Sequence, residues 1–489
     1  AWRLSLGWER PFWFDETFSG AIATEPTVTG LVRHCLNELG GPVYYGFLWL
    51  WEKLAGAGEV ALRLPSAIFS IAAPALLLVA GHEERRVRLL WAAFAALSVP
   101  ALDYSNDARS YALLFLLGCV QAMLYIRLIA RPRLRLAAAW CTVSMLLILT
   151  HYHTVPLVAA QGLVYLLVHR VTALKTWPAA LLFIPVALWL PFHYDFLASF
   201  SRVAWQEKLT LWSVLRLPDA ALGFGPIPSL LLAAAIGATA GWDLWRRSRK
   251  GVPSPYDRAA GLTFLASLLG MLLVLAIAMH SRSFHARYLI PFTPGVLLGV
   301  ALWTDRFSKR WPSVTAGMVA IFLFFCGAKL YDRVVHPERD PRWEVNFGPA
   351  MDAFRQQGAE HVVFFWDHPM VATMDPTLLS RVGSFYFDRE GVDVRATPLR
   401  LTKGADANPA IRAATAAASA RKEKTAVLWM YWPEGLSAGG EHPPQPQDWG
   451  ARPFDCRDYG VKRGLIVLGC IERDLKRLQA SPAAALSPS

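Results

Sequence analysis

The feature that most constrains this sequence is a set of apolar runs long enough to cross a membrane. A helix needs about 20 mostly apolar residues to span about 30 Å of hydrocarbon. The strongest runs are 60–80, 108–130, 229–245, 259–279, 288–303 and 314–330. Shorter or polar-interrupted runs are 89–102, 136–149, 154–168 and 179–192. These runs predict an α-helical polytopic membrane protein with about ten spans.

Composition and charge agree with this prediction. Only 18% of the 489 residues are charged, whereas soluble domains carry about 25%. The 20 tryptophans are typical of rings that anchor spans at bilayer interfaces. The net charge of +12 is not arranged as a basic stripe with interleaved aromatics, so nucleic-acid binding is disfavoured.

Basic turns predict the orientation of the spans. Five turns are rich in Arg and Lys: 83–88, 131–135, 169–175, 246–250 and 305–310. They alternate with less basic turns, and Lys and Arg are enriched on the cytoplasmic side. We therefore expect the alternate loops, residues 1–59 and everything after 330 to face outward. Because the chain starts at Ala1 without an export signal, we also expect a first membrane helix to precede it.

Changes in composition divide the chain into four parts. Residues 1–59 form a first outer loop with membrane-skimming helices, and residues 60–330 form the transmembrane domain. Strand-length runs at 361–366, 425–432 and 465–471 alternate with helix-like stretches at 347–357 and 409–422. This alternation predicts a soluble α/β domain over 331–480, followed by a disordered tail at 481–489. Cys456 and Cys470 can pair there if the domain is extracytoplasmic, but sequence does not decide this.

An acidic pair stands out in the first outer loop. Asp15 and Glu16 follow the aromatic run Pro11-Phe12-Trp13-Phe14. Charged residues near membrane depth are costly and often functional. The simpler interpretation is a helix N-cap, with Asp15 as the cap and Glu16 in the first turn.

Other outward loops carry polar residues at the ends of spans. They contain GGPVYY at 40–45, DYSNDARSY at 103–111, HYH at 151–153 and HSRSFHARYL at 280–289. Simpler interpretations remain open for several of them. Histidines at span ends are often only interfacial, Asp107 can cap a loop, and Arg63 is expected to snorkel towards the interface.

These motifs, in this order and on one predicted membrane face, resemble a known family. An acidic pair, a GPVYY turn, an ALRLPS span start, an ARSYAL loop and an ARYLIP late span are similar to the GT-C class of polyprenyl-phosphate-sugar glycosyltransferases. The group most similar contains protein O-mannosyltransferases and lipid A aminoarabinose transferase. The resemblance covers most of 11–330, and it implies a GT-C helical fold with a C-terminal extracytoplasmic α/β domain.

The resemblance also implies roles for individual residues. It points to a sugar on a polyprenyl monophosphate as donor and to a lipid, glycan or protein as acceptor. Asp15 would be the catalytic base, and Glu16 would orient the acceptor or Asp15. Guanidinium groups bind phosphate oxygens in a fork, which suits Arg109 and Arg287. Tyr111 and Tyr288 would assist them, and further candidate substrate contacts are Tyr44, Asp107, His151, His153 and His285.

The resemblance further implies that the protein uses no cofactor and no metal. The sequence agrees, since it contains no clustered metal-ligand spacing. High Ala and Arg content indicates a bacterial source. We therefore expect an inverting hexosyl- or pentosyltransferase of the cell envelope, in the inner (plasma) membrane, with its active site facing the periplasm or exterior. The alternatives are a multi-span transporter, a non-catalytic lipid-binding scaffold and a ligase that uses a lipid-diphosphate donor.

Overall fold

The fold is that of a computed structural model. It describes residues 8, 11–203, 214–215, 217–223, 225–247, 254–281, 284–336, 348–367, 378, 381–382, 385, 395–399, 408–431, 449, 453–462 and 465–473. The predicted disordered tail at 481–489 lies outside the described residues. The chain divides into two compact units. The first comprises Ala1–Arg10 and Ile22–Asp340, and the second comprises Pro11–Ala21 and Pro341–Ser489.

The first unit is helical. Its α-helices, with α1 shared between the units, are α1 Phe14–Ala23, α2 Val28–Leu36, α3 Pro42–Ala55, α4 Glu59–Ala80, α5 Arg85–Leu97, α6 Val99–Asp103, α7 Tyr111–Ala130, α8 Leu134–Thr150, α9 Val155–His169, α10 Ile184–Val203, α11 Leu217–Leu222, α12 Pro226–Arg247, α13 Pro255–Ser281, α14 Thr293–Arg310 and α15 Pro312–Val335. Three 3₁₀ segments, Tyr152–Thr154, Arg170–Phe183 and Ala286–Phe292, lie between them.

Helix α7 lies at the centre of this bundle and packs against α4, α8, α13 and α14. Buried polar groups tie its neighbourhood together. Gln121 Nε2 donates to Ser144 Oγ at 2.9 Å, and Tyr125 OH donates to the backbone oxygen of Gln161 at 2.6 Å. Because lipid offers no hydrogen bonds, such pairing between helices satisfies polar side chains at membrane depth and fixes which helix faces meet.

Six helical stretches are long and apolar enough to cross a membrane, judged by length and composition over the described residues. They are Glu59–Ala80, Tyr111–Ala130, Tyr152–Ala198, Pro255–Met279, Ala286–Arg310 and Pro312–Val335. The polytopic helical class is thereby confirmed. Helix α15 exposes Ile321 (51%) and Phe324 (70%), as expected for a surface that contacts lipid tails.

The number of long spans differs from the predicted ten for identifiable reasons. Runs 154–168 and 179–192 both lie within the helical stretch Tyr152–Ala198, where Arg170, with a φ of 48°, separates α9 from the following 3₁₀ segment, and Tyr165 of α9 bonds back to Thr176. Run 89–102 is interrupted at Ser98, where α5 ends and α6 begins with Pro100 near its start. The apolar helix Leu134–Thr150 is shorter than a full span, whereas run 229–245 lies within the 22-residue helix α12.

The 3₁₀ segment Arg170–Phe183 is unusually long, at 14 residues. A 3₁₀ helix has 3.0 residues per turn, so every third side chain lies on the same face. Its buried residues are Ala173, Thr176 and Ala179, at that spacing. Tyr165 of α9 shares a 2.9 Å hydrogen bond with Thr176. A stripe of small residues therefore lets this segment lie close to its neighbours.

The second unit contains a five-stranded sheet of order β2-β1-β3-β5-β4. Its strands are β1 His361–Asp367, β2 Arg395–Leu399, β3 Thr425–Tyr431, β4 Phe454–Lys462 and β5 Leu465–Glu472, and its helices are α16 Gly348–Gln356 and α17 Asn408–Ala420. Strands β1, β2 and β3 are parallel, whereas β5 is antiparallel to β3 and β4. The predicted C-terminal α/β domain is confirmed.

A disulfide joins Cys456 and Cys470. The two residues stand opposite each other on the antiparallel strands β4 and β5. Cys470 is buried in the core of this domain, which also contains Trp429 and Trp449. The pairing that the sequence left open therefore links the two strands at one edge of the sheet.

Candidate active site

Most predicted site residues of the first unit come from three chain segments at the ends of helices, and Tyr44 comes from a fourth, helix α3. Arg109 and Tyr111 lie at the start of α7, and His151 directly follows α8. Tyr288 belongs to the 3₁₀ segment Ala286–Phe292, which packs against α7. The segments are short and follow long helices, so the bundle fixes their positions.

A buried ionic group involves Arg109, Glu38 and Tyr45. Arg109 Nη1 and Nη2 donate to Glu38 Oε1 at 3.2 and 3.3 Å, and Nη1 also donates to Tyr45 OH at 3.1 Å. Tyr45 OH in turn donates to Glu38 Oε1 at 2.8 Å. All three residues are buried. The Arg109 guanidinium is therefore oriented and partly neutralised by its own surroundings.

The loop that carries Glu38 is fixed on the end of α8. Gly41 N donates to the Thr150 backbone oxygen at 3.0 Å, and Gly40 forms an antiparallel bridge with His151. A Cβ atom at Gly41 would run into the carbonyl group of Leu149, so only glycine permits this approach. The backbone thus couples the placement of Glu38 to that of His151.

Histidine and tyrosine rings form a contiguous cluster beside Arg109. His153 stacks on Tyr288 with ring centroids 4.0 Å apart, and His151 lies 5.1 Å from Tyr288. The guanidinium carbon of Arg287 lies 5.5 Å from the ring centroid of Tyr111 and 5.9 Å from that of Tyr288. Arginine over an aromatic face is held by a cation–π interaction, and a planar guanidinium group is also suited to bind a phosphate in a fork.

Two pKa shifts describe the electrostatics of this region. Burial, together with His153 and the positive charges of Arg109 and Arg287, holds the pKa of His151 well below its ordinary 6.5. His151 is therefore neutral at pH 7. Burial raises the pKa of Tyr45 well above 10, against the opposing effect of Arg109. Tyr45 therefore stays a hydrogen-bond donor, and both arginines act on the same small volume around His151.

The remaining predicted residues of this unit surround the cluster. His285 Nδ1 accepts from Arg287 N at 3.3 Å, which shapes the entry of the 3₁₀ segment. The backbone oxygen of buried Asp107 accepts from Arg109 N at 2.7 Å. Tyr44 is buried, with its ring edge-on to Tyr45 at 5.6 Å. Their predicted substrate contacts stay predictions.

Arg63 differs from its expectation. Its side chain is fully buried, and Nη1 donates to the Trp8 backbone oxygen at 3.0 Å. The expectation that it snorkels to the interface is wrong, because the backbone oxygen of Trp8 supplies the partner that water would otherwise provide.

Asp15 and Glu16 lie in the second unit, in the first turn of α1. Because α1 begins at Phe14, Asp15 is inside the helix and is not its N-cap. Glu16 is fully buried, and its Oε2 accepts from Trp13 N at 3.3 Å, which satisfies a backbone donor at the helix start. Glu16 therefore has a clear structural role, whereas Asp15 is only partly buried and more accessible.

Sequence reasoning missed Glu38 and Tyr45. Glu38 precedes the GGPVYY turn and is one of many acidic residues in the chain. Its partner Arg109 is 71 residues away in sequence. Tyr45 belongs to that turn motif, but the motif alone does not identify it as a partner of Arg109. The single available signal was the position of both residues beside a loop already predicted to face outward.

Within the part of the chain that the structure describes, no group of three or more His, Cys, Asp and Glu side chains could hold a metal ion. The cluster combines Arg109 and Arg287 with tyrosine and histidine rings, and Glu38 offsets part of the Arg109 charge, a set that can bind an anion. The expectation that the protein uses no metal stays a prediction.

The fold, a helical bundle followed by a C-terminal α/β domain, defines the class of the protein. It is a polytopic membrane protein with the GT-C fold, as the resemblance of its motifs implied. No protein-family model and no curated protein sequence matches the chain.

The particular similarity is to ArnT from Cupriavidus metallidurans, a lipid A aminoarabinose transferase. Its apo crystal structure aligns with 96% of this chain and 95% of its own, with 14% identity and a TM-score of 0.53. The crystal structure of ArnT bound to undecaprenyl phosphate gives the same coverage and identity, with a TM-score of 0.50. A cryo-EM structure of the mycobacterial arabinofuranosyltransferase AftD aligns with 93% of this chain and 40% of its own, at 15% identity and a TM-score of 0.43.

Proposed function

We propose that this protein is a glycosyltransferase that takes a sugar from a polyprenyl monophosphate and moves it to a hydroxyl or similar group of a lipid, glycan or protein. The observation that carries the proposal is the convergence of Arg109 and Arg287 beside neutral His151 and the rings of Tyr111 and Tyr288. Two guanidinium groups at the ends of membrane helices suit a phosphate that lies at the surface of a bilayer.

The fold supports this chemistry. ArnT, whose fold the chain shares, has been crystallised with undecaprenyl phosphate. Helix α7 begins at Tyr111, and the side chain of its N-cap residue, Ser110, makes no capping hydrogen bond. Helix N-termini carry partial positive charge and bind phosphate groups, so the start of α7 would add to the field of Arg109.

The reaction would be a single displacement at the anomeric carbon. The Asp15 carboxylate removes the proton of the acceptor hydroxyl while its oxygen forms a bond to the anomeric carbon. The bond between that carbon and the phosphate oxygen breaks, and polyprenyl phosphate leaves with the electron pair. Arg109 and Arg287 stabilise the negative charge that develops on the leaving group. Such a displacement inverts the configuration of the sugar, and it requires no cofactor.

Two features support an active site on the outer face of the membrane. The five basic turns favour the cytoplasmic side, so the alternate loops, which carry the candidate site residues, are expected on the outer side. The Cys456–Cys470 disulfide suits a C-terminal domain in an oxidising compartment such as the bacterial periplasm. Both features support the proposed outward orientation of the acidic loop, of the loops that carry the cluster and of the α/β domain.

The test is sugar transfer from a panel of radiolabelled polyprenyl-phosphate sugars by purified protein in nanodiscs. We expect the wild type to transfer or slowly hydrolyse one donor. Asp15→Asn should lower the rate by about 10²-fold or more, because it removes the base without changing the size of the side chain. The matched control is Asp352→Asn, an exposed carboxylate of α16 in the same unit, which should retain full activity.

The outcomes separate the assignments. Full activity of a folded Asp15→Asn variant would contradict the base assignment and leave the transferase intact. If the wild type neither turned over nor bound any donor, the transferase itself would be rejected in favour of a transporter or a non-catalytic scaffold. The donor that is consumed would also identify the sugar.

A further inference from the structure

The helix that carries the acidic pair belongs, by its contacts, to the C-terminal domain. Pro11–Ala21 forms one compact unit with Pro341–Ser489, although hundreds of residues separate them in sequence. Segments so far apart in a chain stay together only where side chains hold them. The described residues identify two such side chains.

The first contact is between aromatic rings at the start of the acidic segment. Phe12 and Phe385 are stacked, with ring centroids 5.8 Å apart and an interplanar angle of 7°. Phe12 is fully buried, and Phe385 is 3% exposed. A Cβ atom at Gly20 would overlap the Phe385 ring, so the ring also lies against the second half of α1.

The second contact is at the other end of the helix. Arg381 Nε donates to the backbone oxygen of Ala21 at 3.3 Å. Ala21 lies in the last turn of α1, where carbonyl groups have no partner within the helix. A guanidinium group there satisfies one of these carbonyls and interacts favourably with the negative end of the helix dipole.

The residues that make these contacts share one face. Leu378, Arg381, Val382 and Phe385 are all helical, at the spacing i, i+3, i+4 and i+7. These four positions have the spacing that is typical of one face of an α-helix. Leu378 and Val382 are fully buried. The Phe385 ring thus lies against Phe12 and Gly20, and Arg381 binds the carbonyl of Ala21, so that Asp15 lies between contacted residues in the sequence.

We propose that Phe385 and Arg381 are positioning residues that hold helix α1, so that the C-terminal domain sets the placement of the Asp15 carboxylate. This inference rests on the proposed function for its catalytic consequence. The docking of α1 can be measured independently of that function. A displacement of about 1 Å at a reacting group can cost about 10²-fold in rate, so loss of either contact should lower turnover.

The experiment combines hydrogen exchange with kinetics on the full chain in nanodiscs. In Phe385→Ala and Arg381→Ala, amides of residues 11–21 should exchange faster than in the wild type. The kcat should fall by about 10-fold or more, while the KM for the polyprenyl-phosphate donor stays unchanged. Phe385→Leu, which retains apolar bulk, should restore part of both properties. Gly20→Ala perturbs the same contact from the α1 side and should act like Phe385→Ala.

Matched controls separate docking from general loosening of the domain. Phe354→Ala removes a buried ring that packs on Tyr459, at a centroid distance of 6.5 Å. Arg421→Ala removes an exposed arginine that pairs with Glu423. Neither should change exchange at 11–21 selectively. Wild-type exchange at 11–21 in Phe385→Ala and Gly20→Ala, or an equal increase in Phe354→Ala, would overturn the inference. An inactive wild type with the expected exchange pattern would reject the proposed function alone.

Discussion

At the scale of single residues, the Glu38 carboxylate compensates the buried positive charge of Arg109. The Arg109 and Glu38 side chains are only 10% and 11% exposed, and Glu38 accepts from both terminal nitrogens of the guanidinium. An unpaired charge is costly to bury, whereas an apolar pair of similar volume is often tolerated. The donor phosphate would therefore meet an arginine that is already desolvated and oriented.

This pairing predicts an asymmetric pattern of stability. Glu38→Ala should lower the free energy of unfolding by about 3 kcal/mol, because Arg109 is left as an uncompensated buried cation. The double variant Glu38→Ala/Arg109→Met should be more stable than Glu38→Ala alone, since the orphaned charge is gone. Unfolding in detergent micelles, followed by tryptophan fluorescence, measures both variants.

An exposed pair provides the control for this measurement. Glu423→Ala breaks the ion pair with Arg421 at the surface and should change stability by less than about 1 kcal/mol. A double variant that is less stable than Glu38→Ala would contradict the account, because it would mean that Arg109 retains favourable partners without Glu38.

At the scale of elements, the close approach of the 40–41 loop to α8 sets the geometry of the helix-end cluster. The prediction is that Gly41→Ala lowers the transfer rate by about 10-fold or more, because the added Cβ must displace the loop that carries Glu38 from the end of α8. Steady-state kinetics and the thermal midpoint in detergent measure the effect.

The matched control lies in the helix that follows. A Cβ atom at Gly46 in α3 meets no atom within 4 Å. Gly46→Ala should therefore be active and should gain up to about 1 kcal/mol of stability from helix propensity. Equal activities of the two alanine variants would show that the approach of this loop to α8 does not matter.

How far the elements could be predicted depended on the length and regularity of their patterns. The long apolar helices and the strand-length runs that became β1, β3 and β5 were predicted from sequence. Strands β2 and β4 were missed because their sequences, RATPL and FDCRDYGVK, are short or polar and gain their place only from neighbouring strands. Helix ends differed by a few residues, as usual at boundaries.

The site followed the same rule. Arg109, Tyr111, His151, His153, Arg287 and Tyr288 were predicted from motifs in the outward loops, and the structure gathers them into one cluster. Glu38 was not predicted, because nothing local distinguishes a glutamate that will pair with an arginine 71 residues later. Contacts between distant segments require the fold.

At the scale of the whole molecule, the disulfide and the basic turns both concern which side of the membrane each part occupies. The chain has six cysteines, of which Cys35, Cys119, Cys141 and Cys326 are buried thiols outside the disulfide. If the C-terminal domain is exported, Cys456 and Cys470 meet an oxidising environment, and their bond should form in the native membrane.

The prediction is a thiol count. Protein denatured without reductant should label at four cysteines, and reduction should raise the number to six. Cys456→Ser should destabilise the C-terminal domain by about 3 kcal/mol, the value for a loop of about 15 residues. Cys470→Ser with Cys456→Ser should behave like either single variant. Six reactive thiols before reduction would contradict both the bond and the outward placement that it supports.

The long 3₁₀ segment also changes how far a given number of residues can extend. A 3₁₀ helix rises about 2.0 Å per residue, compared with about 1.5 Å in an α-helix. The 14 residues of Arg170–Phe183 therefore reach about 28 Å, where an α-helix of equal length would reach about 21 Å. That distance is close to the thickness of the hydrocarbon layer. A count of residues that assumes the α-helical rise of about 1.5 Å therefore underestimates the length of this segment.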